Sequence, residues 1–341
     1  MNKCHASGYK IPGSRTVWGS IPLAEGRYPG AFRNMIDYQH HGCRYISMTI
    51  PGFIMQITSH IHEVITPLGP APGQFVNAYL VTGENLTLID SGFNASGALI
   101  TDYIRALGRE PSDIGLIVLT HHHPDHIGAA GGIQALTGCD VAAHVMERSA
   151  IENIDPVLLK PPGPGLPPLV SGPIRVTRPL ENGDTLEIDP GNTLNVIHTP
   201  GHTPGSIALH SPGENTLFSG DAVAIPGRVP IYSDPVVYVS SLKRLKDIAG
   251  LRHFLPGHDT PAENEACYGR LDAALSYVRH IDEVVRRVSA KAGTGADPEA
   301  LTREVLAELG VGQPHIARLA VQTVMGHVHA RGLDQILEVS E

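Results

Sequence analysis

At 341 residues and 42% hydrophobic, the chain is long enough to bury a large core, as one large domain or two. A formal net charge of −9, from 34 acidic and 25 basic residues, gives no overall field that would draw in nucleic acid or an anionic membrane. The four cysteines (Cys4, Cys43, Cys139, Cys267) are scattered without CxxC spacing, which excludes a zinc-thiolate knuckle and a disulfide framework and fits a reducing cytoplasm.

No apolar stretch approaches the ~20 residues that span a bilayer, so no membrane partner is expected. The start, Met1-Asn2-Lys3-Cys4-His5, lacks the apolar core of a signal peptide, and the expected location is cytoplasmic. Residues 1–54 read as an irregular extension, because Gly, Pro, Arg and Tyr alternate there without helix or strand period. His40 and His41 lie within it and are read as ordinary residues rather than ligands.

From Ile57 the pattern is regular. Ile61 to Ile65 alternates as a half-buried strand, and Phe75–Val81 and Leu86–Ile89 pair through the turn Thr82-Gly83-Glu84-Asn85. His60 and His62 would share a strand face, but no Pro-Asp-His follows them, and they read as strand residues. Asp90-Ser91-Gly92 closes the next strand, ahead of an apolar-periodic helix from Ser96 to Leu107. Two roles stay open for Asp90: orienting a metal-bound imidazole, or capping the turn.

The organising stretch is Leu116-Ile117-Val118-Leu119-Thr120-His121-His122-His123-Pro124-Asp125-His126. A branched apolar run reads as a strand buried on both faces, and Pro124 ends it. His121, His123, Asp125 and His126 therefore fall on one short loop at the strand's carboxyl end. Crowded imidazoles and a carboxylate, without a thiol, suit a borderline or hard divalent cation. A His-rich surface loop that binds metal by accident is the plainer alternative.

Ile127 to Ile133 opens a small-residue helix expected to pack tightly on the sheet, with its positive end facing the loop. Cys139–Ala143 reads as a strand and Met146–Asn153 as a short helix. Lys160-Pro161-Pro162-Gly163-Pro164-Gly165-Leu166-Pro167-Pro168 is neither helix nor sheet interior. It is either a stiff loop overhanging the site or a spacer. Asp184–Ile188, Leu194–Ile197, Thr216–Ser219 and His253–Leu255 read as strands. The last three break at Pro or Gly and deliver His202, Asp221 and His258. In α/β sheets ligands bind at the carboxyl ends of strands, so this recurrence argues for convergence on one point.

Taken together, Thr120-His121-x-His123-x-Asp125-His126, Pro200-Gly201-His202-Thr203, Ser219-Gly220-Asp221, Pro256-Gly257-His258 and Asp90-Ser91-Gly92 resemble the metallo-β-lactamase fold superfamily, over roughly residues 57–260. The resemblance implies an α/β protein, a four-layer αββα sandwich with a two-metal site at one edge. By it, His121, His123 and His202 hold the first metal, Asp125, His126 and His258 hold the second, and Asp221 bridges them. The implied cofactors are two divalent ions, zinc foremost, with iron or manganese as alternatives. Departures narrow the function. Asp221 stands where the best-known β-lactamases carry Cys, so antibiotic hydrolysis is not expected. His123 stands where flavodiiron proteins place Glu. Ser206 follows Gly205 where glyoxalase II-like sequences usually show His, and Ala222-Val223-Ala224 lacks the Tyr frequent in acylhomoserine lactonases. The resemblance is to a glyoxalase II-like or lactonase-like branch, and these motifs fix no subfamily.

Beyond a catalytic domain at 55–262, residues 263–341 form a small, mostly helical C-terminal domain. Helices are expected over 263–290, 299–309 and 316–330, and a terminal strand over 336–339. This tail resembles the winged-helix-like domain of some hydrolases of this fold, including an endoribonuclease type. From Pro298 onward six acidic residues face three arginines, a net −3, which suits packing or substrate contact better than phosphate binding. His327 and His329 point to different sides of a helix and are not a chelating pair. The expected activity is metal-dependent hydrolysis of a thioester, ester or lactone, with Asp125 as the catalytic carboxylate that orients the nucleophile or takes its proton. The alternatives are a phosphodiesterase or endoribonuclease on the same metals, and a binding or regulatory protein with a vestigial site. A small-molecule partner is expected, nucleic acid is disfavoured, and a homo-oligomer stays open.

Overall fold

The computed structural model describes residues 36–40, 43–47, 53–67, 75–163, 165–229, 231–293, 295–311 and 317–338. Two sheets lie face to face. Among the described residues the first has nine strands in chain order: β1 (Ile36–His40), β2 (Cys43–Ser47), β3 (Phe53–Gln56), β4 (Ile61–Pro67), β5 (Phe75–Thr82), β6 (Leu86–Ile89), β7 (Ile114–Leu119), β8 (Asp140–His144) and β9 (Arg178–Leu180). Strands β1 to β6 run antiparallel to their neighbours, and β6 to β9 are parallel. The second sheet has six: β10 (Thr185–Asp189), β11 (Asn192–His198), β12 (Ile207–Ser211), β13 (Thr216–Gly220), β14 (His253–Pro256) and β15 (Ala262–Glu263). Its only parallel pair among these is β13 with β14.

Strand β7 shows why the sandwich forms. Alternation sends Ile117 and Leu119 into a core shared with helices α1 (Ser96–Ala106), α3 (Ala130–Thr137) and α4 (Arg148–Glu152). The same alternation sends Leu116 and Val118 toward Phe218 and Leu255 of the other sheet. Both faces are buried, hence the unbroken apolar run. The second sheet's outer face carries Leu217 and Phe254, covered by α5 (Pro235–Lys246) and the 28-residue α6 (Glu265–Ala292). These four layers are the αββα sandwich. Helix α5 starts sharply because Asp234 accepts from the amides of Val236 and Val237 while Pro235 presets the first turn. Helices α7 (Pro298–Glu308) and α8 (Ala317–His329) pack on α6 through Val284, Val288, Val305 and Val324. No helix among the described residues is long and apolar enough to cross a membrane.

Several expectations need correction. Two strands, β1 and β2, stand in the stretch read as irregular, while residues 1–35 and His41 lie outside the described residues. These five-residue strands extend the edge of a sheet, where ladder pairing of β1 with β2 and of β2 with β3 supplies what their own brief alternation does not. The terminal strand expected at 336–339 is instead a short helix, α9 (Leu333–Glu338), whose Leu333 and Leu337 pack with α5 and α6; Val339 lies outside the described residues. The helix expected from Ile127 is two, α2 (Pro124–Ile127) and α3, parted at Gly128. Its small residues serve the sheet and a loop alike: Ala129 and Ala130 pack in the core with Ile117 and Leu119, while a Cβ on Gly128 would lie 2.6 Å from the Leu169 carbonyl, and one on Gly131 2.5 Å from that of Gly172. His60 precedes β4 rather than sharing its face, and buried His62 bonds the Tyr103 hydroxyl at 2.8 Å. The proline-rich loop returns through Leu169, whose carbonyl accepts from the Asn94 amide, and Pro164 lies outside the described residues.

Candidate metal centre

The site forms where strands of both sheets end. Strand β6 delivers Asp90, β7 delivers Thr120 to His126, β11 leads to His202, β13 to Asp221 and β14 to His258. The sheets are joined at this edge: the Ile207 amide donates to the Thr120 carbonyl, and the Asn77 amide to that of Gly257. Gly220 has φ 48°, and a Cβ there would meet Thr120 Oγ1 at 2.7 Å, so the turn that presents Asp221 requires glycine. On Gly257 a Cβ would lie 2.3 Å from Asp221 Oδ1 and 2.9 Å from His126 Cε1.

All seven expected ligands meet. Three clusters have donor atoms within 4.8 Å of one another: His121 with His123 and His202; His121 with His126 and Asp221; Asp125 with His126 and His258. Asp221 is central. Its Oδ2 lies 3.3 Å from His258 Nε2, 3.5 Å from His202 Nε2 and 4.0 Å from His121 Nε2, and its Oδ1 lies 3.4 Å from His126 Nε2. Asp125 Oδ2 lies 3.1 Å from His258 Nε2, and His123 Nδ1 is 2.9 Å from His202 Nε2.

Four imidazoles are held from behind by their other nitrogen. His126 Nδ1 donates to Asp90 Oδ2 at 2.8 Å, His202 Nδ1 to the Ile231 carbonyl at 2.8 Å, and His258 Nδ1 to the Phe75 carbonyl at 2.7 Å. His121 Nδ1 reaches Thr120 Oγ1 at 3.0 Å, whose own proton goes to Asp90 Oδ2. Asp90 therefore orients two rings, His126 directly and His121 through Thr120. It adopts φ 54° and also accepts from the Thr120 amide, so the turn role and the orienting role coexist. Fixing Nδ1–H in this way aims each Nε2 lone pair inward, the arrangement that metal-ligating histidines show.

A divalent cation fits this set on one further observation. Buried His121 Nε2 and Asp221 Oδ1 have no hydrogen-bond partner. A buried lone pair left unmatched is costly, and a cation is the partner it suits. Electrostatics divide the cluster. Burial, and then neighbouring imidazoles, lower His121 well below the usual histidine value and take His123 to about 3, so both stay neutral. Burial also works against charge on His258, but Asp221 and Asp125 outweigh it and push it up to about 10; His126 is raised likewise. For Asp125, burial is outweighed by His126 and His258, which bring it to about 2. Without metal, protons on His126 and His258 balance the carboxylates.

One supporting residue gives no sequence signal. Glu147, 1% exposed, accepts through Oε1 from Thr203 Oγ1 at 2.8 Å and the Gly205 amide at 2.7 Å, and through Oε2 from the amide and ring of His122. This carboxylate ties the loop of His121 and His123 to that of His202. It precedes α4 with no motif around it. Asn77 and Tyr79 of β5 are similarly unheralded: both donate to the Pro256 carbonyl, beside His258.

The family model described as the metallo-beta-lactamase superfamily matches residues 71–258. An acyl-coenzyme A thioesterase, MBLAC2, of Gallus gallus is 34% identical over 210 residues, 54% of this chain and 73% of that protein. A hydroxyacylglutathione hydrolase of Hyphomonas neptunium is 32% identical over 146 residues, 42% of this chain and 48% of that one. A metallo-beta-lactamase family protein of Thermus thermophilus superposes with a TM-score of 0.64 at 23% identity, covering 80% of this chain and 93% of its own, a likeness of fold.

Proposed function

The chain belongs to the metallo-beta-lactamase superfamily, and on that premise we propose that it is a dinuclear metallo-hydrolase acting on thioesters. The observation that carries the hydrolase reading is the convergence of five imidazoles and two carboxylates around the unpartnered His121 Nε2 and Asp221 Oδ1. His121, His123 and His202 would hold one ion and Asp125, His126 and His258 the other, with Asp221 between them. Zinc suits this nitrogen-and-oxygen set first, and iron or manganese next. Bound there, two divalent ions would supply Lewis acidity and lower the pKa of water enough to yield a nucleophile near neutral pH.

The chain's own groups set the rest. Asp221 neutralises charge between the two ligand sets. Asp125, its side chain 21% exposed, is the carboxylate that both touches His258 and opens to solvent. At about 2 it stays ionised at neutral pH and is a weak proton store, so it orients the nucleophile more than it carries the proton. The thioester class rests on the two relatives, one a thioesterase by name and one a hydroxyacylglutathione hydrolase. Asp221 in place of a thiolate, and the acidic tail, set this chain apart from antibiotic and RNA hydrolysis.

The test is a turnover panel on metal-loaded protein with acyl thioesters, simple esters, lactones, bis-phosphodiesters and short RNA. Thioester turnover at least tenfold above every other class is expected. Preferred phosphodiester cleavage would replace this reading, and no turnover of any class by a fully loaded protein would indicate a binding role.

A further inference from the structure

The C-terminal helices reach the metal centre through the peptide group between Ile231 and Tyr232. The carbonyl of Ile231 accepts from His202 Nδ1 at 2.8 Å. The amide at the other end of that planar unit, Tyr232 N–H, donates to Thr323 Oγ1 on α8 at 2.9 Å. Thr323 Oγ1 in turn donates to the Tyr232 carbonyl at 2.6 Å, so one side chain grips Tyr232 at both backbone ends. The Tyr232 hydroxyl donates to His327 Nε2 at 2.9 Å, and His327 Nδ1 donates to Asp282 Oδ1 of α6 at 3.0 Å. Arg286 holds the other oxygen of Asp282 at 2.6 Å. Tyr232, Thr323, His327 and Asp282 are all buried.

Packing closes the same joint. Helix α8 approaches the loop so closely at Gly326 that a Cβ would lie 2.3 Å from the Ser233 carbonyl oxygen. The Ser233 amide reaches back 3.2 Å to the carbonyl of Gly201, the residue before His202. The Tyr232 ring stacks on Tyr238 at 4.3 Å and 10°, and Tyr238 is the side chain that a Cβ on Gly201 would strike. A tail that served only to cover the second sheet would need apolar contacts. A fully satisfied polar chain ending on a ligand's Nδ1 does something else: it fixes which nitrogen of His202 carries the proton and how the ring is turned.

We propose that Thr323, Tyr232, His327 and Asp282 are positioning residues through which the C-terminal helices set the metal affinity of His202. This rests on the reading of His202 as a metal ligand. The full chain is tested as wild type, Thr323→Val, Thr323→Ser and Tyr232→Phe. Zinc affinity is read by competition with a chromophoric chelator, ligand geometry by the visible spectrum of the cobalt form, and folding by circular dichroism with thermal melts. The expected result is a 10- to 100-fold weakening of one of the two zinc ions in Thr323→Val, with an altered cobalt spectrum, and restoration by Thr323→Ser, which keeps the hydroxyl. Tyr232→Phe, which breaks the link to His327 while leaving the backbone grip, is expected to weaken the same ion by a smaller factor. If Thr323→Val does not fold, Tyr232→Phe decides: weakened zinc supports the role and wild-type affinity overturns it. A folded Thr323→Val with wild-type affinity and spectrum, even at a lower melting temperature, reduces the cluster to packing. A wild type that binds no metal would remove the ligand reading itself, and the positioning role with it.

Discussion

Asp221 stands between the two proposed ligand sets. Its two oxygens face imidazoles on both sides, and it is ionised because His258 and His126 beside it outweigh the cost of burial. Asp221→Asn preserves size and removes the negative charge, so two cations would repel with less compensation. Metal content is expected to fall to one equivalent or fewer, and kcat by about 10²-fold or more, the scale of losing one preorganised electrostatic group. Circular dichroism should be unchanged, because the strands are held by their apolar faces and the site sits beyond their ends. Full two-metal occupancy with near wild-type kcat would show that Asp221 is not the bridge.

Among the elements, the turn between β14 and His258 has no room for added volume on the side of the site. Gly257→Ala would drive a methyl into Asp221 Oδ1 and His126 Cε1, both parts of the ligand set rather than of the core. Metal occupancy is expected to drop while the melting temperature of the metal-free protein moves little; a fully loaded Gly257→Ala protein would mean that the turn can shift at small cost. The same contrast explains how legible the chain is. The proposed ligands announce themselves because each is a His or Asp just past the end of an apolar strand, beside a Pro or Gly break that is itself read in the sequence. Strand β12 and helix α5 carry no such signal: Ile207–Ser211 is a short, largely buried strand with no ligand at its end, and α5 buries Tyr238, Val239, Leu242 and Leu245 on one face but mixes Val, Ser and Lys over the rest. Glu147, Asn77 and Tyr79 are invisible for another reason. Their partners lie 25 to 58 residues away for Glu147 and 177 to 182 away for the other two, and no local spacing encodes such a contact. The tail's last segment looks like a strand from the branched apolar residues of Ile336-Leu337-Glu338-Val339, but Leu333 and Leu337, four apart, meet α5 and α6 as a helix face would.

For the whole molecule, protons and metals compete for one set of groups, and pH tests that competition. In the metal-free chain His258 titrates at about 10, above its ordinary 6.5. A folded-state value raised in this way contributes stability that is fully present below about 6.5 and is lost as pH rises toward about 10. Metal-free protein is therefore expected to lose stability between those limits. Metal-loaded protein should lose less, because a cation replaces the protons that His258 and His126 would release. Zinc affinity should accordingly rise with pH over the same window, seen as proton release in calorimetry run in buffers of differing ionisation heat. A pH-independent zinc affinity would mean that the ions bind elsewhere.

The centre itself is tested most directly by its metal content. Five histidines and two aspartates brought to one edge of a sandwich, four of the imidazoles locked through Nδ1, form a set suited to two ions. Elemental analysis of the full chain, purified without added metal or chelator, should give close to two equivalents of transition metal per chain, zinc foremost. Less than one equivalent of any such metal, in protein that is folded and takes up no more on addition of zinc, would contradict the account.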